Sequence, residues 1–133
     1  MVILFDMKTI MVSWLGGTDH DAAAGIKDKQ PGPIARAVSE RDDLDVVHVI
    51  NNYPDRSAVA YRKWLRESTK TSARVTSSTA DLDYPTDFGG IYTTVTAEID
   101  TLLDKHGRDA KLVFNITPGT PPMAAIFVIL QQT

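Results

Sequence analysis

The sequence predicts an α/β domain: a Rossmann-like, three-layer fold around a mainly parallel sheet. Two observations carry that reading. Short apolar runs alternate with segments of helical spacing, giving the order β-α-β-α-β-α-β-α. The strongest runs, IMVSWL (10–15) and LVFNI (112–116), are apolar almost without a break, as strands buried on both faces are. Strands separated by helices need crossovers, so the sheet is parallel and its connections right-handed.

The elements follow in order. Residues 8–15 (KTIMVSWL) are strand formers stopped by Gly16 and Gly17. A loop of turn residues over 18–32 comes next. Pro33 suits the first turn of a helix over 33–41, with Ile34, Ala37 and Val38 on one face. A second strand over 45–50 (DVVHVI) ends at Asn51-Asn52-Tyr53-Pro54. Asp55 is a candidate N-cap for a helix through Glu67, with Val59, Trp64 and Leu65 inward. Residues 73–82 read as a strand that turns polar after Val75, and 84–87 as a turn. Ile91, Val95, Ile99, Leu102 and Leu103 mark the clearest helix, 88–105, with His106-Gly107 as its stop. A fourth strand over 111–116 runs through Thr117-Pro118-Gly119-Thr120-Pro121-Pro122 into an apolar helix over 123–130. A further strand would normally follow that helix, so the chain is expected to be cut before the last strand of its sheet.

The chain has 133 residues, one domain's worth, and no cysteine, which excludes disulfides and thiolate metal sites. Fourteen basic against seventeen acidic residues give a formal charge of −3, which argues against a non-specific nucleic-acid or membrane-surface binder. The apolar start lacks a basic n-region and a cleavage site and is too short to span a bilayer. Residues 1–7 are therefore read as a leader and 8–133 as the domain, with a cytoplasmic location expected.

In open parallel sheets ligands bind beyond the carboxyl ends of the strands, near a topological switch point. Two loops stand out there. Trp14-Leu15-Gly16-Gly17-Thr18-Asp19 offers adjacent glycines for close backbone approach, a hydroxyl and an acceptor. It is not GxGxxG and no helix is expected to start at once, so no dinucleotide fingerprint is present; an ordinary tight turn is the alternative. Thr117-Pro118-Gly119-Thr120, leading to Met123, places two hydroxyls and a helix start after the fourth strand, an anion site in prospect. Thr120 as a plain helix cap is the alternative. Asn51, Asn52 and Asp55 stand where a base or ribose would be read, or simply form a turn with a cap. Asp87 is a candidate contact and a good N-cap. His20, His48 and His106 have no metal-ligand spacing, and no serine sits in a nucleophile elbow, so neither a metal nor a catalytic triad is expected.

Taken together, the two loops resemble the CARF (CRISPR-associated Rossmann fold) ligand-sensing domains, which carry a glycine- and hydroxyl-containing loop after the first strand and a Ser/Thr-x-Gly-Thr-type loop after the fourth. GPIARA (32–37), YPTDFGGIY (84–92) and NITPGTPPMAA (115–125) bring the chain closest to the N-terminal sensor domains of sigma-54-dependent transcriptional regulators of the RNA-repair type. The resemblance implies a homodimer with one composite pocket for a cyclic oligoadenylate or an RNA-end nucleotide. It implies no further cofactor, and a signal relayed to an output domain rather than DNA binding by this domain. The pocket loops hold few basic residues, with Lys27, Lys29 and Arg36 nearby, and prolines stand where some oligoadenylate binders have lysine. A ring nuclease that cleaves cyclic oligoadenylate is the competing reading; neither loop has a lysine or histidine to act as acid or base, which favours sensing.

Overall fold

The computed structural model describes residues 7–26 and 31–132. The expected leader over 1–7 lies outside them, apart from an exposed Met7, and so do Lys27 and Lys29. The described elements are β1 (Thr9–Leu15), α1 (Gly17–Ala23), α2 (Pro33–Ser39), β2 (Val46–Asn51), α3 (Ala58–Thr69), β3 (Arg74–Thr79), α4 (Phe88–His106), β4 (Lys111–Asn115) and α5 (Pro121–Gln131).

The four strands form one parallel sheet in the order β3-β2-β1-β4. Alternation along β1 sends Ile10, Val12 and Trp14 to one face and Met11 and Leu15 to the other. The first set packs under α4 and α5 through Ile91, Val95, Met123, Ile126 and Phe127. The second packs under α2 and α3 through Ile34, Ala35, Val38, Tyr61 and Leu65. Helices thus cover both faces, which is why β1 and β2 are buried almost end to end. Phe114 of β4 stacks on Phe127 of α5, ring centroids 4.7 Å apart, and pins the last helix to the edge strand.

Two local expectations are corrected. Residues 17–23 form a helix, α1, instead of loop. The helix after β2 starts later than expected: Ser57 is its N-cap, its Oγ accepting from the Ala60 N–H at 3.1 Å, and Asp55 lies in the preceding turn. On that helix Tyr61 joins Leu65 inward, while Val59, expected inward, is 64% exposed.

Candidate functional site

β1 is the switch point. The chain leaves β1 towards β2 on one side, and later adds β4 on its other side. The loops after β1 and β4 therefore diverge, and a crevice opens between them. A cleft of about 470 Å³ occupies this place. Its walls are Gly16, Gly17, Thr18 and Asp19 after β1, and Thr117, Pro118, Gly119, Thr120 and Met123 after β4. Asn52 and Tyr53 close it from the loop after β2, Leu82 and Pro85 from the loop after β3.

Asp19 shapes the first loop. It is fully buried; Oδ2 accepts the Gly16 N–H at 3.0 Å and Oδ1 accepts the Ile34 N–H at 2.9 Å. One bond folds the loop back on its own helix start. The other caps α2, whose N-cap position, Gly32, has no side chain of its own. This clip across sequence explains why α1 forms at once after β1, against expectation. Asp19 lines the cleft, but both oxygens serve the fold. Burial pushes its carboxyl up to about 6, and the backbone N–H donors oppose the rise. Gly32 is required twice over, by φ +90 and by a Cβ that would meet Asp19 Oδ1 at 3.0 Å. At Gly16 a Cβ would stand 3.2 Å from the Pro118 side chain and 3.3 Å from the Gly119 nitrogen, so the loops after β1 and β4 touch there.

The second loop differs from its expected role. Thr120 occupies the N-cap position of α5 without a side-chain cap bond; its Oγ1 donates to the Pro85 carbonyl at 2.6 Å. The hydroxyl is a tether to the loop after β3, neither a plain cap nor a free ligand contact. The Thr120 N–H points to Met123 Sδ at 3.4 Å, a weak acceptor. Prolines fill the next two positions and bring no donors, so Met123 is the first residue of α5 with an amide N–H. The anion site expected at this helix start is accordingly reduced. Gly119 takes φ +90, Pro118 is buried, and Thr117 is exposed.

Three candidates stand outside the cleft wall. Trp14 is buried in the core beneath Gly119, and its Nε1 has no partner among the described residues. Asn51 organises the turn after β2: Nδ2 donates to the carbonyls of Tyr53 and Arg56, and Oδ1 accepts the Tyr53 N–H. That arrangement fixes the amide orientation, so His20 Nε2–H donates to Asn51 Oδ1 at 3.0 Å. Asp87 is exposed at the N-cap position of α4, with no side-chain cap bond. Tyr53, Leu82 and Pro85 were not among the candidate contact residues, although Pro85 lies in the segment 84–92; all three follow strands β2 or β3, the signal that marks this edge of the sheet.

No family model matches the chain, and no curated protein matches it. Solved structures do. Csm6 of Enterococcus italicus, bound to cyclic hexa-2'-fluoro-hexa-dAMP, is 16% identical with a TM-score of 0.74, over 94% of this chain and 31% of that one. The fold is Rossmann-like. Can2 of Sulfobacillus thermosulfidooxidans, in complex with cyclic tetra-adenylate, is 17% identical with a TM-score of 0.52, over 93% of this chain and 29% of that one. The chain therefore spans about a third of the length of these structures, and at such identities the likeness shows the fold alone.

Proposed function

We propose that the chain is a CARF-type sensor domain that binds an oligonucleotide of the cyclic oligoadenylate or RNA-end class in the switch-point cleft. The observation that carries this is the cleft itself. Two loops meet at Gly16 and Gly119 where the sheet reverses its order, in a fold shared with two proteins whose structures hold cyclic oligoadenylates. Gly16, Gly17, Thr18, Asn52, Thr117 and Gly119 form the contact surface, while Asp19, Asn51, Thr120, Met123 and Trp14 hold its shape. Asp87 enters only if the loop after β3 closes over the ligand.

Sensing is favoured over cleavage by the wall of the cleft. Among the described residues it carries no lysine, arginine, histidine or glutamate, and its one carboxylate, Asp19, is engaged by two amides. No helix among the described residues is long and apolar enough to cross a membrane. The finer assignment is the cytoplasmic sensor of a sigma-54-dependent regulator, working as a homodimer. It rests on the segments 32–37, 84–92 and 115–125.

Calorimetric titration with cyclic tetra-adenylate, cyclic hexa-adenylate and an RNA ending in a 2′,3′-cyclic phosphate tests the reading, with chromatography of the ligand afterwards. Saturable binding of one of them, with the ligand recovered intact, is the expected result. Cleavage products would replace sensor by nuclease, and absence of heat with all three would remove the ligand class.

A further inference from the structure

A second groove of about 400 Å³ adjoins the cleft. It lies between α2 and the end of β4, lined by Thr18, Arg36, Glu40, Asn115 and Thr117 among others. Thr18, Pro33 and Thr117 line both spaces, so the two are compartments of one trough with those residues as the divide.

Two donors that line the groove, Arg36 and Asn115 Nδ2, have no acceptor paired with them among the described residues. Asn115 Oδ1 accepts the Thr117 N–H at 3.4 Å, which fixes the carboxamide orientation. Its Nδ2 is shielded from solvent and has no hydrogen-bond partner among the described residues. A buried amide donor in that state is uncommon in folded proteins, and a bound acceptor is one way such a donor becomes satisfied. Arg36 makes no ion pair among the described residues although Glu40 stands one turn along, whereas Arg41, Arg56 and Arg108 are all paired with aspartates. A planar guanidinium and a carboxamide N–H₂ facing one space suit a phosphodiester, which offers two unprotonated oxygens to them. Glu40 supplies an acceptor for a sugar hydroxyl or an exocyclic amine.

We infer that the groove beside α2 is a second nucleotide subsite, in which Arg36 and Asn115 take the phosphodiester that follows the nucleotide held in the cleft. This rests on the oligonucleotide reading and deepens it. The site measures a strand of at least two nucleotides, and its positive charge comes from α2 instead of the glycine loops. It also answers the shortage of cationic residues in those loops, since the arginine arrives from the next helix.

The test titrates AMP, the linear dinucleotide pApA and cyclic tetra-adenylate into the parent chain, Arg36→Ala and Asn115→Asp. Arg36 is exposed, so its truncation leaves the fold intact. Asn115→Asp keeps the acceptor for Thr117 and replaces the donor by a negative charge. In the parent, pApA binds at least tenfold more tightly than AMP. Arg36→Ala removes about tenfold of the pApA and tetra-adenylate affinity, lowers the slope of log K against log salt by about one, and leaves AMP unchanged. Asn115→Asp lowers pApA affinity further by charge repulsion. Equal parent affinities for AMP and pApA, or unaltered pApA binding and salt slope in Arg36→Ala, overturn the subsite while leaving the cleft reading standing. A parent that binds none of the three, and neither cyclic hexa-adenylate nor the RNA ending in a 2′,3′-cyclic phosphate, overturns both.

Discussion

Gly119 and Thr120 divide the work of the loop after β4. Gly119 sits at φ +90, and a Cβ there would stand 2.7 Å from Met123 Sδ. Gly119→Val therefore strains the backbone and the start of α5, and lowers stability together with any binding. Thr120 is the cleaner probe. Thr120→Val keeps shape and removes the bond to the Pro85 carbonyl, at a cost of about 1 kcal/mol. Amide exchange across 81–87 is expected to speed up in that variant while exchange in β1 and β2 does not change; Thr120→Ser should restore the parent rates. Asp19 makes a different prediction. Its folded pKa, about 6, lies above the ordinary 3.8, so the folded chain holds that proton more tightly than the unfolded one. Its contribution is fully present below about pH 4 and lost as pH rises through 6; at 1.36 kcal/mol per pH unit this amounts to about 3 kcal/mol. Urea unfolding of the parent and Asp19→Asn at pH 4 to 7 checks it: the parent's advantage should shrink over this range. A constant difference would assign the burial penalty elsewhere.

At the scale of elements, the strands legible in sequence were the apolar runs: β1 and β2, whose pattern is set by burial on both faces, and β4, which was expected to be buried likewise and is instead a half-buried edge strand. β1, β2 and β4 lie within a residue or two of the runs read in sequence, and α4 begins and ends almost where its periodic residues do. β3 was less clear because its inward positions are polar. The structure supplies the reason: Thr76 Oγ1 lies 2.7 Å from His48 Nδ1, while His48 Nε2 faces Glu98 at 2.9 Å and Ser78 at 3.2 Å. These groups satisfy one another across β2, β3 and α4, and the hydrogen bond from His48 holds the Glu98 carboxyl below its ordinary value. No spacing rule reveals such a network, because its members are 2 to 50 residues apart. α1 was hidden for a similar reason, since Asp19 closes it through a bond to α2. The start of α3 was misplaced because Asp55 and Ser57 are both good caps and only geometry chooses. Ser57→Ala is expected to cost about 1 kcal/mol in thermal or urea unfolding, and Asp55→Ala to stay within about 0.5 kcal/mol of the parent. The reverse ranking would restore Asp55 as the cap.

The whole molecule is two apolar layers of unequal closure. Beneath α2 and α3 the sheet is sealed, with Met11, Val47, Val49 and Leu65 all but inaccessible. The α5 side is looser. β4 is an edge strand that is only half-buried along most of its length, and α5, apolar nearly all round, buries Met123, Ile126 and Phe127 yet leaves Val128 41% and Ile129 50% exposed. A helix apolar on its outer face is ordinarily covered by something. In the proposed homodimer a second copy covers it, with the same surface on both subunits about a two-fold axis. Ile129→Asp separates this from chance exposure. The side chain is on the surface, so the monomer should keep its stability within about 0.5 kcal/mol. A charge at the centre of a two-fold interface meets its own copy, so repulsion adds to desolvation. Light scattering should then show a dimer for the parent and a monomer for Ile129→Asp, with weaker binding of cyclic tetra-adenylate where both subunits complete the pocket. Two monodisperse monomers of equal ligand affinity would place the ligand site within one chain and leave α5 without a role in assembly.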